Sequence, residues 1–218
     1  MLTRREATAA IAAGALAVGV DSAAQAGEVK LRPLLPPNSS GGMPLIEALK
    51  LRRSTRAYSE RLLEPQVLSD LLGAANGINR PSGDHTAPYW RHIMVIDIYA
   101  AMADGLWLYD PKAHALILRA SSDLRALTGT QDFVGAAPLN LIYVAHGERM
   151  TDVGPEEQRL FASADACFVG QNVYLFCASE GLATVFRGSV DQRRLAAAMG
   201  LPDDQFVTFA QTVGYPAA

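Results

Sequence analysis

The chain has 218 residues, half of them hydrophobic and 19% charged, and carries a formal net charge of -3 at neutral pH. That length and apolar content suffice for one globular domain with a sizeable core and argue against disorder. The mixed signs leave no electrostatic footprint for nucleic acid, so a protein that handles a small molecule is expected.

The first residues follow a logic of their own. Thr3-Arg4-Arg5-Glu6 sets a twin-arginine pair ahead of an Ala/Gly-rich apolar run from Ala7 to Val20, and Ala24-Gln25-Ala26 offers a small-x-small cleavage site before Gly27. The pattern predicts a removable twin-arginine signal peptide over residues 1–26 and export to the periplasm; an Ala-rich N-terminal helix is the alternative. The apolar run of about 14 residues is shorter than the ~20 a spanning helix needs, and no membrane insertion is expected after cleavage. Residues 27–43, with Arg32-Pro33 and Pro36-Pro37-Asn38-Ser39-Ser40-Gly41-Gly42, read as an extended tether, which places the folded domain over 44–218.

Pro44 suits the first turn of a helix continuing through Leu45, Ile46, Ala48 and Leu49 to about Leu51, and a second helix opens at Pro65 and stops at Asn76-Gly77. Ile93 to Ile98 predicts a strand. Gly105 to Asp110 and Ala115 to Leu118 form a hairpin about the turn Pro111-Lys112-Ala113-His114. A short helix is expected over Asp123 to Thr128, and Leu139 to Ala145 is an apolar run fit for a buried strand. Pro155 to Glu180 is the longest helix. Its acidic start at Glu156 and Glu157 complements the helix dipole, and from Ala162 it is apolar nearly all round, so it must be buried on several sides. A short strand ends in Arg187-Gly188, a helix runs from Ser189-Val190-Asp191 to Gly200, and Phe206 to Val213 is the last strand. The set implies an α+β domain without internal repeats.

Few residues have the pattern of a self-contained catalyst. Cys167 and Cys177, the only cysteines, fall about 15 Å apart along one helix, beyond disulfide reach, and read as buried thiols. His85, His92, His114 and His146 show no i,i+4 or Cys-x-x-Cys partnering, so no metal site is expected. His114 reads as a surface turn residue, while His85 and His92 either donate a proton to product or line the site. Neither Gly-x-Gly-x-x-Gly nor Gly-x-Ser-x-Gly occurs. The densest basic cluster of the mature chain is Lys50-Leu51-Arg52-Arg53-Ser54-Thr55-Arg56. Guanidinium forks around one hydroxyl suit a phosphate, although the cluster taken alone fits a solvated helix end equally well. Arg187-Gly188 before a helix start offers free backbone N–H groups and a positive charge to an electron-rich ring edge.

Leu51-Arg52-Arg53-Ser54-Thr55-Arg56-Ala57-Tyr58 resembles the Arg-Arg-Ser-x-Arg-x-Tyr/Phe segment of FMN-dependent nitroreductase-family domains. Ala74-Ala75-Asn76-Gly77-Ile78-Asn79-Arg80-Pro81, Gln171-Asn172, Gly181-Leu182-Ala183-Thr184 and Thr212-Val213-Gly214-Tyr215-Pro216 follow in the order that family has. The likeness runs from Pro44 to the C-terminus and is nearest to the azoline-oxidase-like dehydrogenases. It implies a mostly antiparallel sheet flanked by helices, a homodimer with the long helix at its interface, and FMN bound there. Arg52, Arg53, Ser54 and Arg56 would hold the phosphate, ribityl chain and pyrimidine edge, and Arg187, Gly188 and His92 would line the flavin. The flavin, rather than a nucleophile, would carry electrons to or from a nitro, quinone, enone or azoline-like substrate. A redox partner protein or a reduced substrate would supply electrons outside the cytoplasm, and a twin-arginine route, which carries folded proteins, would let FMN load before export.

Two departures mark this chain. After Thr86-Ala87-Pro88, where that branch has small and amide residues, it has Tyr89-Trp90-Arg91-His92, and Ala217-Ala218 closes the sequence without the basic residue that often follows the last strand. Two further readings stay open: an exported flavin-binding protein with little turnover, and a cofactor-free dimer that uses the cleft for another ligand.

Overall fold

The computed structural model describes residues 30–217, so the expected signal peptide lies outside the described residues. The apolar run becomes β5 (Leu139–His146), buried at every position. Its odd-numbered residues Leu141 and Tyr143 enter one core and its even-numbered Ile142 and Val144 another, as the two-residue period of a strand requires. It is flanked, in the order of the sheet, by β2 (Ile96–Met102), β3 (Gly105–Asp110) and β4 (Ala115–Ala120) on one side, and by β7 (Gln205–Gly214) and β6 (Ala183–Arg187) on the other. Every neighbouring pair is antiparallel. The α+β expectation therefore holds, with β6 at one edge.

Helices cover both faces. The larger core lies under α2 (Pro65–Asn76) and α3 (Pro155–Ser179), where Leu71, Val169 and Val173 meet Trp107 and Tyr143. On the other face α4 (Gln192–Met199) packs Leu195 against Ile142 and Val207. Asp191 caps α4 through its side chain and Gly200 closes it with φ 66°, a left-handed turn that favours glycine. The short helix α1 (Leu45–Leu51) buries only Ala48.

Several expectations need correction. Residues 30–43 are no free tether: Leu31–Pro33 form β1, paired with β4 at the edge opposite β6. Asn38 donates two bonds to Asp70 and the Met43 amide donates to Ser179, so the folded unit begins before Pro44. Strand β2 starts at Ile96 rather than Ile93, because a 3-10 turn occupies Trp90–His92, and it continues to Met102. The helix expected over 123–128 is a 3-10 turn at Arg125–Leu127. His114 is half-buried, bonded to Ser69 Oγ at 2.8 Å and Tyr109 Oη at 3.0 Å, and burial pushes its imidazole below its usual range. Cys177 is buried, but Cys167 is exposed.

That last correction describes α3 itself. One side of the helix fills the core, while Leu160, Ala164, Cys167, Phe168 and Gln171 form an outward stripe at helical spacing. The helix is apolar on both sides but covered on one.

Candidate functional site

The basic cluster leaves the end of α1 as an extended segment along β6. An edge strand leaves every second residue with outward backbone groups, and here two of these groups find partners. The Thr184 carbonyl accepts the Thr55 amide at 2.9 Å, and the Phe186 amide donates to the Tyr174 hydroxyl at 2.9 Å. Ser54 Oγ lies 2.7 Å from the same hydroxyl. Farther along, Tyr58 bridges Pro216 and the Ala217 amide donates to Ala57, so the C-terminal segment closes over the basic one. Tyr58 Oη donates to the Thr55 carbonyl at 2.6 Å, and burial pushes its phenol up.

Arg52, Arg53, Ser54 and Arg56 follow one another along this segment. Arg53, Ser54 and Arg56 are exposed, while Arg52 is half-buried with its guanidinium 5.2 Å from the Tyr174 ring centre. Among the described residues none of these three arginines has a carboxylate in ion-pair contact. Three guanidinium groups within five residues concentrate positive charge and planar donors here, the chemistry an anion such as phosphate requires. A cavity of about 380 Å³ opens beside Arg53 and Thr55, floored by Tyr174, Thr184 and Pro216.

Gly188 lies at the end of β6, about 13 Å along the strand from Thr184. It is exposed, and a side chain there would meet nothing closer than the Phe209 ring at 3.8 Å. Arg187 behaves otherwise. Its side chain is 4% exposed and turned into the far face, where it donates to the Thr128 carbonyl at 2.8 Å, Asn140 Oδ1 at 3.1 Å and Thr212 Oγ1 at 3.2 Å. Loss of water around it pulls the guanidinium down to about 10, which leaves it charged at neutral pH. The expected contact between this guanidinium and a flavin is therefore corrected: Arg187 holds the sheet to the 128–140 segment.

His92 is not drawn into the basic cluster. It is exposed, with φ 59°, next to Arg91 at φ 46°, and its ring stands edge-on to Tyr89. Two consecutive non-glycine residues in the left-handed region store strain in this turn. The turn is held by the Trp90 amide, which donates to Asp165 Oδ2 at 2.8 Å, and by Trp90 packing on Phe161. His85 receives a defined place, with Nδ1 2.8 Å from the Asn76 carbonyl. Asn76 is itself buried, and its Oδ1 has no hydrogen-bond partner. Buried polar atoms without partners are few in folded proteins, and this one lies in a segment that carried the family resemblance. Tyr174 was missed by the sequence, since its partners are Ser54 and Phe186, far from it along the chain.

Together the antiparallel sheet, the long helix beneath it and the basic segment on its edge define an α+β domain. The family model for the nitroreductase family matches residues 49–215, and the chain belongs to that family. A nitroreductase-type protein of Methanocaldococcus jannaschii, MJ1384, is 31% identical over 163 residues, 67% of this chain and 82% of that one. A nitroreductase-type crystal structure from Ralstonia eutropha JMP134 superposes with a TM-score of 0.83 at 43% identity, covering 86% of this chain and 90% of the other. The NADPH:FMN oxidoreductase of Vibrio harveyi, solved with NAD+, shares the fold at a TM-score of 0.58 and 20% identity, over 80% and 67% of the two chains.

Proposed function

We propose that the protein is an FMN-dependent oxidoreductase that passes electrons to or from a small organic substrate, of nitro, quinone, enone or azoline-like type. The observation that carries this reading is the Arg52–Arg56 segment, whose arginines meet no carboxylate among the described residues, fastened to β6 through Thr55 and to Tyr174 of α3 through Ser54. Family membership and the FMN of the Vibrio harveyi relative support the choice of cofactor. The residues fit the group: the arginines and Ser54 supply phosphate and ribityl donors, the orphaned Asn76 Oδ1 awaits a donor, and Gly188 leaves backbone open for a close approach. FMN bound there would supply two-electron transfer. The chain's own task is to hold and orient it, and Tyr89 and Trp90, in place of small residues, would either stack over the ring or narrow the substrate's access.

This reading includes a homodimer. The outward stripe of α3, with Leu160 63% and Phe168 48% exposed, and the bare Leu45, Ile46 and Leu49 of α1 support an isologous interface. It also includes periplasmic export through residues 1–26 and a redox partner as electron source, which a reporter fused to those residues would test: a reporter retained in the cytoplasm removes both.

The test of the central claim is the visible spectrum of protein beginning at Gly27, made with riboflavin supplied, and identification of the chromophore it releases. One FMN per subunit is expected, and Arg56→Ala should weaken FMN binding about 10- to 100-fold, the worth of a charge-assisted hydrogen bond. A folded, colourless protein that takes up no FMN overturns the reading. A yellow protein that never turns over with any donor is the flavin-binding alternative.

A further inference from the structure

A second cluster of chemically capable side chains lies where β5 ends. One ring nitrogen of His146, one carboxylate oxygen of Glu148 and one of Asp204 lie within 4.8 Å of one another. His146 is the last residue of β5, and Glu148 follows in the 3-10 turn Gly147–Arg149. Asp204 comes from the loop before β7. That loop is pinned against the turn by the Gly147 amide, which donates to the Asp204 carbonyl at 2.8 Å, and by the pairing of His146 with Gln205.

Independent features point to a cation. His146 is 5% exposed, and its Nε2 is held 2.7 Å from Asp97 Oδ2, while Asp97 Oδ1 accepts from Arg149 at 3.2 Å. With Nε2 so engaged, Nδ1 is the ring nitrogen available to a ligand. A carboxylate on the far nitrogen of an imidazole is the usual way a ligating histidine is oriented and made more basic. Asp204 Oδ2 is shut off from solvent with no hydrogen-bond partner, a cost that a cation relieves. Among the described residues no guanidinium does so instead: Arg149 is turned onto Asp97, and Arg159 lies over the Phe206 ring at 4.8 Å. A cavity of about 570 Å³ adjoins Glu148 and Asp204, with room for water to complete a coordination shell.

We propose that His146, Glu148 and Asp204 bind one divalent first-row transition-metal ion, of the Zn2+ or Mn2+ type, which clips the end of β5 to the loop entering β7. One imidazole and two carboxylates are a borderline donor set that suits these ions, whereas Mg2+ and Ca2+ prefer oxygen alone. Metal bonds of ~2.0–2.2 Å require the donors to draw in by about 1 Å, a movement open to Glu148 because its side chain is exposed. The cluster lies beyond the point where β6 ends opposite Ala210, about 15 Å along β7 from it, so the ion stands apart from the flavin residues and serves structure rather than electron transfer. The spacing of the histidines gave no sign of it, since Asp204 is distant in sequence.

The experiment uses tag-free protein beginning at Gly27, stripped with chelator, titrated with ZnCl2 or MnCl2 by calorimetry and then heated. One ion per chain is expected, with Tm raised by several degrees at a hundredfold excess over Kd. Asp204→Asn and Glu148→Gln, each checked for native circular dichroism, should weaken binding at least tenfold and abolish the Tm gain, with FMN uptake unchanged. Failure to bind either metal, or undiminished binding by Asp204→Asn, overturns the proposal, as does Mg2+ binding with equal affinity. FMN content is read in the same samples, so loss of the flavin reading would not be mistaken for loss of this one.

Discussion

Replacing Tyr174 by phenylalanine removes one oxygen and leaves the ring that lies beneath Arg52. That oxygen takes the Phe186 amide at 2.9 Å and meets Ser54 Oγ at 2.7 Å, so it joins the edge strand, the long helix and the basic segment at a single point. The Phe186 N–H faces outward from β6 and would lose its partner. An unmet backbone donor costs about 1–3 kcal/mol, and the exposed bond to Ser54 adds little, so the loss should be about 2 kcal/mol. For a chain of this size that lowers Tm by about 4–8 °C. Thermal unfolding of the FMN-free protein, followed by circular dichroism, measures the first effect; flavin fluorescence titration measures the second, a weaker affinity because Ser54 is no longer held in place. A Tm within 1 °C of the parent and an unchanged FMN Kd would refute the idea that this hydroxyl fastens the site.

Other consequences follow from the same geometry. A Cβ at position 170 would come within 2.5 Å of the Phe186 ring, so Gly170→Ala should cost about 1–3 kcal/mol by overpacking, read as a lower urea midpoint; an unchanged midpoint would mean that Phe186 moves freely. Burial pushes the Asp165 carboxyl up against the opposing hydrogen bond from the Trp90 amide. The folded state then holds the proton more readily than the unfolded one, and stability falls as pH rises from about 3.9 through the raised value. Asp165→Asn keeps an acceptor for Trp90 without the charge, so its Tm should exceed the parent's at pH 7 and the gap should close below pH 4; the same gap at both pH values would contradict this. Phe168→Asp places a charge in the outward stripe of α3 and should yield monomer by light scattering, and a persistent dimer would move the interface elsewhere.

The parts of the fold legible in the sequence are those whose signal is local. Proline at the first turn and periodic leucines mark α2, and an unbroken apolar run marks a strand covered on both faces, as β5 is. What escaped depends on partners distant in sequence. Residues 31–33 include Pro33 and are too short to show alternation, and they become a strand only because β4 offers its free edge. The last part of β2, Tyr99-Ala100-Ala101-Met102, is held by β3 and β5 rather than by any pattern of its own. Cys167 was read as buried because α3 is apolar all round, yet a single chain covers only one side of that helix.

The same distinction runs through the site. The basic run Arg52, Arg53, Ser54 and Arg56 could be read from the sequence as a concentration of positive charge because it lies on one short segment. Arg187 could not, because its role turns on which face of β6 it occupies. Phe186 packs on Gly170 beneath the sheet, and a strand's alternation then sends Arg187 to the opposite face. There Gly129 leaves the space that the guanidinium fills, since a Cβ at that position would collide with Arg187 Nη1. A glycine on α3 and another beyond β4 thus decide the direction of a charge on β6. The guanidinium of Arg187 is thereby spent on Thr128, Asn140 and Thr212, while Gly188 next to it keeps an open backbone.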